Sequence, residues 1–206
     1  MLTTRYKAAF NRAIEPVARL LAAWGVSPSM ISLAGLGLVV LSCGWLLVSR
    51  NLLAFCGLVG LASLSDALDG AVARLSGRVT RRGAYLDAMC DRYGEVAVAL
   101  SVAAVTGYWL LSTLVVVGAV LISYAKARAA METAVSNLEW PDLMERTERG
   151  VLYLAGLAAG QLMPWRPLGK DLFWWTLAIL AVLVHATVLQ RMRRARRIIT
   201  ERSWST

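Results

Sequence analysis

The sequence predicts an all-α, polytopic membrane protein, with six transmembrane helices preceded by an N-terminal amphipathic surface helix. Three observations predict it. Of the 206 residues, 58% are hydrophobic, a share well above that of soluble proteins. The excess is gathered into runs about as long as a bilayer crossing. Lysine and arginine cluster at alternate ends of those runs, as cytoplasmic loops require.

The spans are expected at 29–48, 52–75, 84–107, 109–130, 149–165 and 172–190, in a single domain covering 1–206. Before them, segment 3–24 places Phe10, Ile14, Val17, Leu20, Leu21 and Trp24 at near-helical spacing with basic residues between. That pattern predicts a juxtamembrane helix lying on the bilayer. Gly25 and Pro28 punctuate the turn into the first span. The bundle fills 29–190, and a basic tail occupies 191–206. The N-terminal segment, the 75–83 and 131–148 connections and the C-terminal RMRRARR run hold most of the 22 Lys and Arg residues. The opposite connections hold only Arg50, Arg166 and Lys170. Both termini are therefore expected on the cytoplasmic side of a cell membrane. No small-residue cleavage site follows a short apolar run, so the first span is expected to insert uncleaved.

A net charge of +9 raises the question of nucleic acid, but the cations sit at span ends without Gly/aromatic or zinc-ligand motifs beside them. Anionic membrane lipids are the better partner for such a rim. Cys43, Cys56 and Cys90 show no pairing pattern. Cys90 reads as a small packing residue, and His185 as a hydrogen-bonded packing residue rather than a ligand. Gly156 and Gly160 mark close helix packing within the chain.

Between the second and third spans runs SDALDGAVARLSGRVTRRGAYLDAMCDRYGE, residues 65–95. Asp66 and Asp69 share one helical face; Asp87 and Asp91 share another, which Glu95 continues. A short connection makes the two helices antiparallel neighbours, so the carboxylates can converge. Converging carboxylates repel unless cations lie between them. All-oxygen ligands suit Mg²⁺, Mn²⁺ or Ca²⁺ rather than zinc, and two such ions fit phosphoryl chemistry. Gly70, Ala73 and Gly83 leave room for a ligand, and Arg74 can reach a phosphate. A cation transporter also concentrates intramembrane acids, but it predicts midplane acids and paired repeats. Here the acids cluster near one interface without a repeat. A non-catalytic scaffold leaves the spacing unexplained.

The stretch fits D-x2-D-G-x2-A-R-x8-G-x3-D-x3-D at Asp66, Asp69, Gly70, Ala73, Arg74, Gly83, Asp87 and Asp91. It resembles the signature of the CDP-alcohol phosphatidyltransferases, six-span membrane enzymes that transfer a phosphoalkyl group from a CDP-linked donor to an alcohol and release CMP. The resemblance implies that Asp66, Asp69 and Asp87 bind a metal holding the CDP pyrophosphate. Asp91 would complete a second metal site and act as general base. Gly70, Ala73, Arg74 and Gly83 would line the CDP pocket, with two Mg²⁺ or Mn²⁺ ions as cofactor. A homodimer is common among such enzymes, although no residue pattern here marks an interface.

Further along, SYAKARA supplies Ser123 and Lys126, and ERTERG supplies Arg146 and Arg149. Such cations can clamp an acceptor that already carries a phosphate. Both segments are similar to those of phosphatidylinositol-phosphate and archaetidylinositol-phosphate synthases, which implies inositol 1-phosphate as the phosphorylated polyol. The alternatives are glycerol 3-phosphate in a phosphatidylglycerol-phosphate synthase, or CDP-inositol in place of the CDP-linked lipid donor. Thr147 stands where proline is usual, Arg82 stands where an aromatic is usual, and the 131–144 connection is longer than expected.

Overall fold

The computed structural model describes residues 2–132 and 143–203, with side chains described from 13 to 132 and from 143 to 201. Most of the long 131–144 connection, the Phe10 side chain and the end of the basic tail lie outside the described residues. Every regular element among those described is helical: α1 (Leu2–Ala23), α2 (Pro28–Ser49), α3 (Leu52–Ala62), α4 (Leu64–Leu75), α5 (Arg81–Thr106), α6 (Trp109–Glu132), α7 (Arg146–Leu162) and α8 (Leu172–Ser203), with a short 3₁₀ turn at Pro167–Gly169. The chain divides into two compact units, Met1–Val102 and Ala103–Thr206.

Among the described residues, four stretches are long and apolar enough to cross a membrane: Pro28–Ser49, Leu52–Leu75, Trp109–Glu132 and Leu172–Glu201. The other two expected spans are helical but fall short of that standard. α5 carries Asp87, Asp91, Arg92 and Glu95 in its first half. α7 has 17 residues, fewer than the ~20 that a hydrocarbon core asks of a perpendicular helix.

In the first unit, local chemistry sets each helix end. Ser27 caps α2 by accepting from the Met30 N–H, with Pro28 just inside the helix. Asn51 caps α3 through the Ala54 N–H at 3.0 Å. The expected second span is two helices, broken at Ser63. There Ser63 Oγ donates to the Val59 carbonyl at 2.9 Å and Ser65 Oγ to the Ala62 carbonyl at 2.6 Å. Hydroxyls that take the carbonyls of the preceding turn loosen a helix where they occur together. α4 ends at Gly77, whose φ of 64° lets the Arg78 N–H reach back to the Ala73 carbonyl at 3.0 Å. Thr80 then caps α5, accepting from the Gly83 N–H at 3.0 Å.

The core of this unit gathers Ala18 of α1, Ile31 of α2, and Ala71 and Val72 of α4, with Ile14, Leu21, Ala22, Val26 and Leu68 packed against it. The apolar stripe of α1 is therefore divided. Ile14 and Leu21 pack inward, while Val17, Leu20 and Trp24 remain exposed. Sequence periodicity identified the stripe but not this split.

In the second unit, α8 packs against both α6 and α7. Its Leu177, Leu180, Ala181, Val184, Thr187, Val188 and Arg191 are all buried, a stripe at coiled-coil spacing. Glycines let the helices approach: a Cβ at Gly118 would overlap Val184, one at Gly156 would overlap Thr176, and one at Gly160 would lie 2.9 Å from the Phe173 Cβ. The glycine pair of α7 thus serves packing within the chain, as expected. At the start of α8, Asp171 accepts from the Trp174 N–H at 2.8 Å and from the Tyr108 hydroxyl at 2.7 Å. Burial, reinforced by Asp171, pushes the Tyr108 phenol up to about 12. His185 lies beside Gly118, yet its Nε2 has no hydrogen-bond partner. The expected hydrogen-bonded histidine is instead a packed one.

Gly156→Ala should destabilise the protein by roughly 1–3 kcal/mol, because the added methyl overpacks Thr176. Gly150→Ala is the control, since a Cβ there meets nothing within 4 Å. It should leave the thermal unfolding temperature in detergent unchanged or raise it, because alanine is the better helix residue.

Candidate active site

The acidic motif is built where α4 and α5 begin. Asp66 lies in the first turn of α4 and is exposed; Asp69, one turn on, is buried at 5% exposure. From α2, Ser32 Oγ donates to Asp69 Oδ2 at 2.6 Å, and Ser32 is itself buried. The charges of Asp87 and Asp66 both act on Asp69, and those of Asp87, Asp91 and Asp69 all reach Cys90. The acids of α4 and α5 therefore share one electrostatic neighbourhood. Among the described residues, no three His, Cys, Asp or Glu side chains are gathered closely enough to ligate an ion as they stand.

The donor set nevertheless suits a hard divalent cation. It consists of carboxylate oxygens, one of them deeply buried, whose mutual repulsion a cation would offset. Glu95 plays a different part from its neighbours on α5. It pairs with Arg92 Nη1 at 2.9 Å, whereas Arg92 Nη2 stands 3.9 Å from Asp91. Arg92 is thus chiefly the counter-ion of Glu95. Cys90 is buried and unpaired by disulfide, consistent with a packing role.

Each glycine of the motif has a neighbouring side chain close to where its Cβ would stand. At Gly70 a Cβ would come within 3.3 Å of Arg74 Nη1, so the arginine folds back over the glycine. Ala73 is partly buried and Arg74 exposed. At Gly83 a Cβ would stand 3.1 Å from Thr80 Oγ1 and 3.9 Å from Ser29 Oγ, so glycine keeps the α5 cap undisturbed.

The four residues expected to clamp an acceptor phosphate lie in the second unit. Ser123 and Lys126, three apart on α6, are partly buried. Arg146 and Arg149 lie on the first turns of α7, where Glu145 and Glu148 form a capping box. Arg149 is buried and donates to the Met144 carbonyl at 3.4 Å; Arg146 is partly buried.

Two residues absent from the sequence reading emerge here. Ser32 is one. The other is Arg191, first of the RMRRARR run, which reads in the sequence only as part of a basic cytoplasmic tail. It is buried and donates to the carbonyl of Ile122, the residue preceding Ser123. The α8 stripe places 191 seven residues after Val184, so its register was available in the sequence.

Apolar helices of membrane length and a carboxylate-rich motif are features that a membrane transferase of phosphorylated groups would need. The model of the CDP-alcohol phosphatidyltransferase family matches residues 25–187, and the chain belongs to that family. It is 35% identical over 200 residues to the phosphatidylinositol phosphate synthase of Mycolicibacterium smegmatis, covering 92% of this chain and 86% of the relative. The Corynebacterium glutamicum phosphatidylinositol phosphate synthase is 33% identical over 192 residues, covering 87% and 82%. The Mycobacterium tuberculosis phosphatidylinositol phosphate synthase with CDP-DAG bound matches with a TM-score of 0.77 at 30% identity, over 89% of this chain and 94% of that one. The same enzyme in complex with manganese and citrate matches with a TM-score of 0.76 at 30% identity, over 87% of each chain.

Gly70→Ala tests the close approach of Arg74 to Gly70. The methyl should displace the Arg74 guanidinium and raise the KM for the CDP-linked donor in a CMP-release assay. Thermal stability should hold or improve, since alanine favours the helix.

Proposed function

We propose that this protein is a six-span integral membrane enzyme that transfers a phosphatidyl-type group from a CDP-linked lipid to inositol 1-phosphate, releasing CMP. The observation that carries the reading is the buried Asp69, in the electrostatic company of Asp66 and Asp87, within a fully matched family motif. The acceptor rests on the phosphatidylinositol phosphate synthase relatives and on the cations of α6 and α7. Family membership sets aside the cation-transporter reading.

Asp66, Asp69 and Asp87 would hold one Mg²⁺ or Mn²⁺ ion and Asp91 a second; the manganese-bound relative supports this choice. The ions would neutralise pyrophosphate charge and assist CMP departure. Gly70, Ala73, Arg74 and Gly83 line the nucleotide side, with Arg74 directed to the phosphates. Asp91 takes the proton from the acceptor hydroxyl. That oxygen then bonds to the lipid-bearing phosphorus, whose bond to the CMP oxygen breaks. Ser123, Lys126, Arg146 and Arg149 hold the acceptor's own phosphate, and Arg191 joins them through its place beside Ile122. In this reading α5 and α7 also span the membrane, α1 lies on its surface, and both termini, the 191–206 tail and the active site are cytoplasmic.

Asp91→Asn should lower kcat by roughly 10²–10⁴-fold while retaining CDP-donor binding by calorimetry in nanodiscs; equal loss of binding removes its role as base. Lys126→Ala should raise the KM for inositol 1-phosphate roughly ten- to a hundredfold, the value of one charge-assisted hydrogen bond, and leave donor KM unchanged. Both assays belong beside an acceptor screen. Faster turnover of glycerol 3-phosphate than of inositol 1-phosphate would replace the acceptor assignment, and turnover of CDP-inositol in place of the CDP-lipid would replace the donor.

A further inference from the structure

Ser32 lies on α2, 37 residues before the carboxylate it meets, and outside the acidic motif. Its hydroxyl has two oxygens in reach: Asp69 Oδ2 at 2.6 Å and the Pro28 carbonyl at 3.2 Å. A hydroxyl has one proton to donate. The shorter contact, to a charged acceptor, is the stronger bond, so the proton is committed to Asp69. The remaining contact to Pro28 lies within the first turn of α2, which Ser27 and Pro28 fix in place.

A second contact one turn along both helices holds this pair together. Gly35, three residues after Ser32, has Ser65 where its Cβ would be, and Ser65 lies four residues before Asp69. Only a glycine allows α2 and α4 to approach so closely at that level. The approach in turn presses Ser32 against Asp69. Both members of the pair are more than nine-tenths buried, so water does not substitute for the bond. Ser32 therefore determines which way the Asp69 carboxylate faces.

We propose that Ser32 is a positioning residue for the metal centre, holding one oxygen of Asp69 so that the carboxylate is oriented for a divalent cation before the cation arrives. This inference rests on the assignment of Asp69 as a metal ligand. Hydrogen-bond partners of ligating carboxylates typically contribute 10–100-fold to metal affinity. The role is orientation, and Ser32 takes no part in the chemistry of the transferred group.

The test uses the full chain in lipid nanodiscs, titrated with Mn²⁺ and followed by the EPR signal of the free ion. Ser32→Ala should weaken Mn²⁺ binding by roughly 10–100-fold, while Ser32→Thr, which keeps the hydroxyl, should bind close to wild type. With Mn²⁺ raised to saturation, the kcat of Ser32→Ala should recover, placing the defect in metal binding. Unchanged Mn²⁺ affinity in Ser32→Ala overturns the proposal. So does equal weakening in the alanine and threonine variants, which assigns the effect to packing. Should Ser32→Ala not fold, Ser32→Cys replaces it with similar volume and a weak donor, under the same expectations. Asp69→Asn separates the two layers of inference. If it binds Mn²⁺ as wild type does, the metal assignment itself fails; if it loses Mn²⁺ while Ser32→Ala does not, only the role of Ser32 fails.

Discussion

A carboxylate buried to 5% exposure inside an apolar stretch of chain is an expensive feature, and two further acids act on it. The Ser32 hydroxyl satisfies one oxygen of Asp69 but brings no positive charge. Hydrogen bonding lowers the cost of burying a charge without removing it. Folding of the first unit therefore creates an electrostatic debt, and a bound cation is the natural means of settling it. That constraint orders much of what surrounds it. The capped start of α2, the close contact at Gly35 and the tight turn at Gly77 all hold polar groups in a fixed place.

The same constraint explains why α5, one of the six expected spans, is not among the four described stretches apolar enough to cross a membrane. A helix that must deliver acids cannot also be apolar along its whole length. α5 resolves the conflict by division: its first half carries Asp87, Asp91, Arg92 and Glu95, and its second half is apolar from Val96 onward apart from Ser101 and Thr106. The expected second span resolves it by breaking at Ser63, which separates the apolar α3 from the acid-bearing α4. At the break the Ser65 hydroxyl takes the Ala62 carbonyl, and the Ser63 hydroxyl adds a second donor to the Val59 carbonyl beside the Ser63 N–H.

Helices and motif were legible in the sequence because both depend on short-range spacing. Acids three or four residues apart must share a face, and apolar runs of bilayer length must be helical. The partner of Asp69 was not legible, because nothing in a span rich in small residues distinguishes Ser32 from Ser42, which bonds its own helix at the Leu38 carbonyl. Only the approach of α4 makes the difference. Arg191 failed for another reason. The positive-inside rule accounts for every arginine in RMRRARR equally, whereas the buried stripe of α8 selects the first. α1 shows the reverse error: a single apolar stripe was read as one lipid-facing surface, when Ile14 and Leu21 are needed by the core.

Charge is also sorted along the chain in a way that bears on specificity. The acids of the motif all belong to the first unit, and the cations proposed to hold an acceptor phosphate, Lys126, Arg146, Arg149 and Arg191, all belong to the second. Chemistry on a CDP-linked donor makes the same demands whichever alcohol receives the group: carboxylates, a general base and space for a nucleotide. Recognition of the alcohol makes different demands, and the second unit supplies buried guanidiniums, Arg149 and Arg191, each donating to one backbone carbonyl. Separating the two sets lets acceptor preference change through residues on α6, α7 and α8 without disturbing the acids. On the proposed assignment, specificity within a family that shares one reaction would follow the second unit's cations, and the motif alone could never disclose the acceptor.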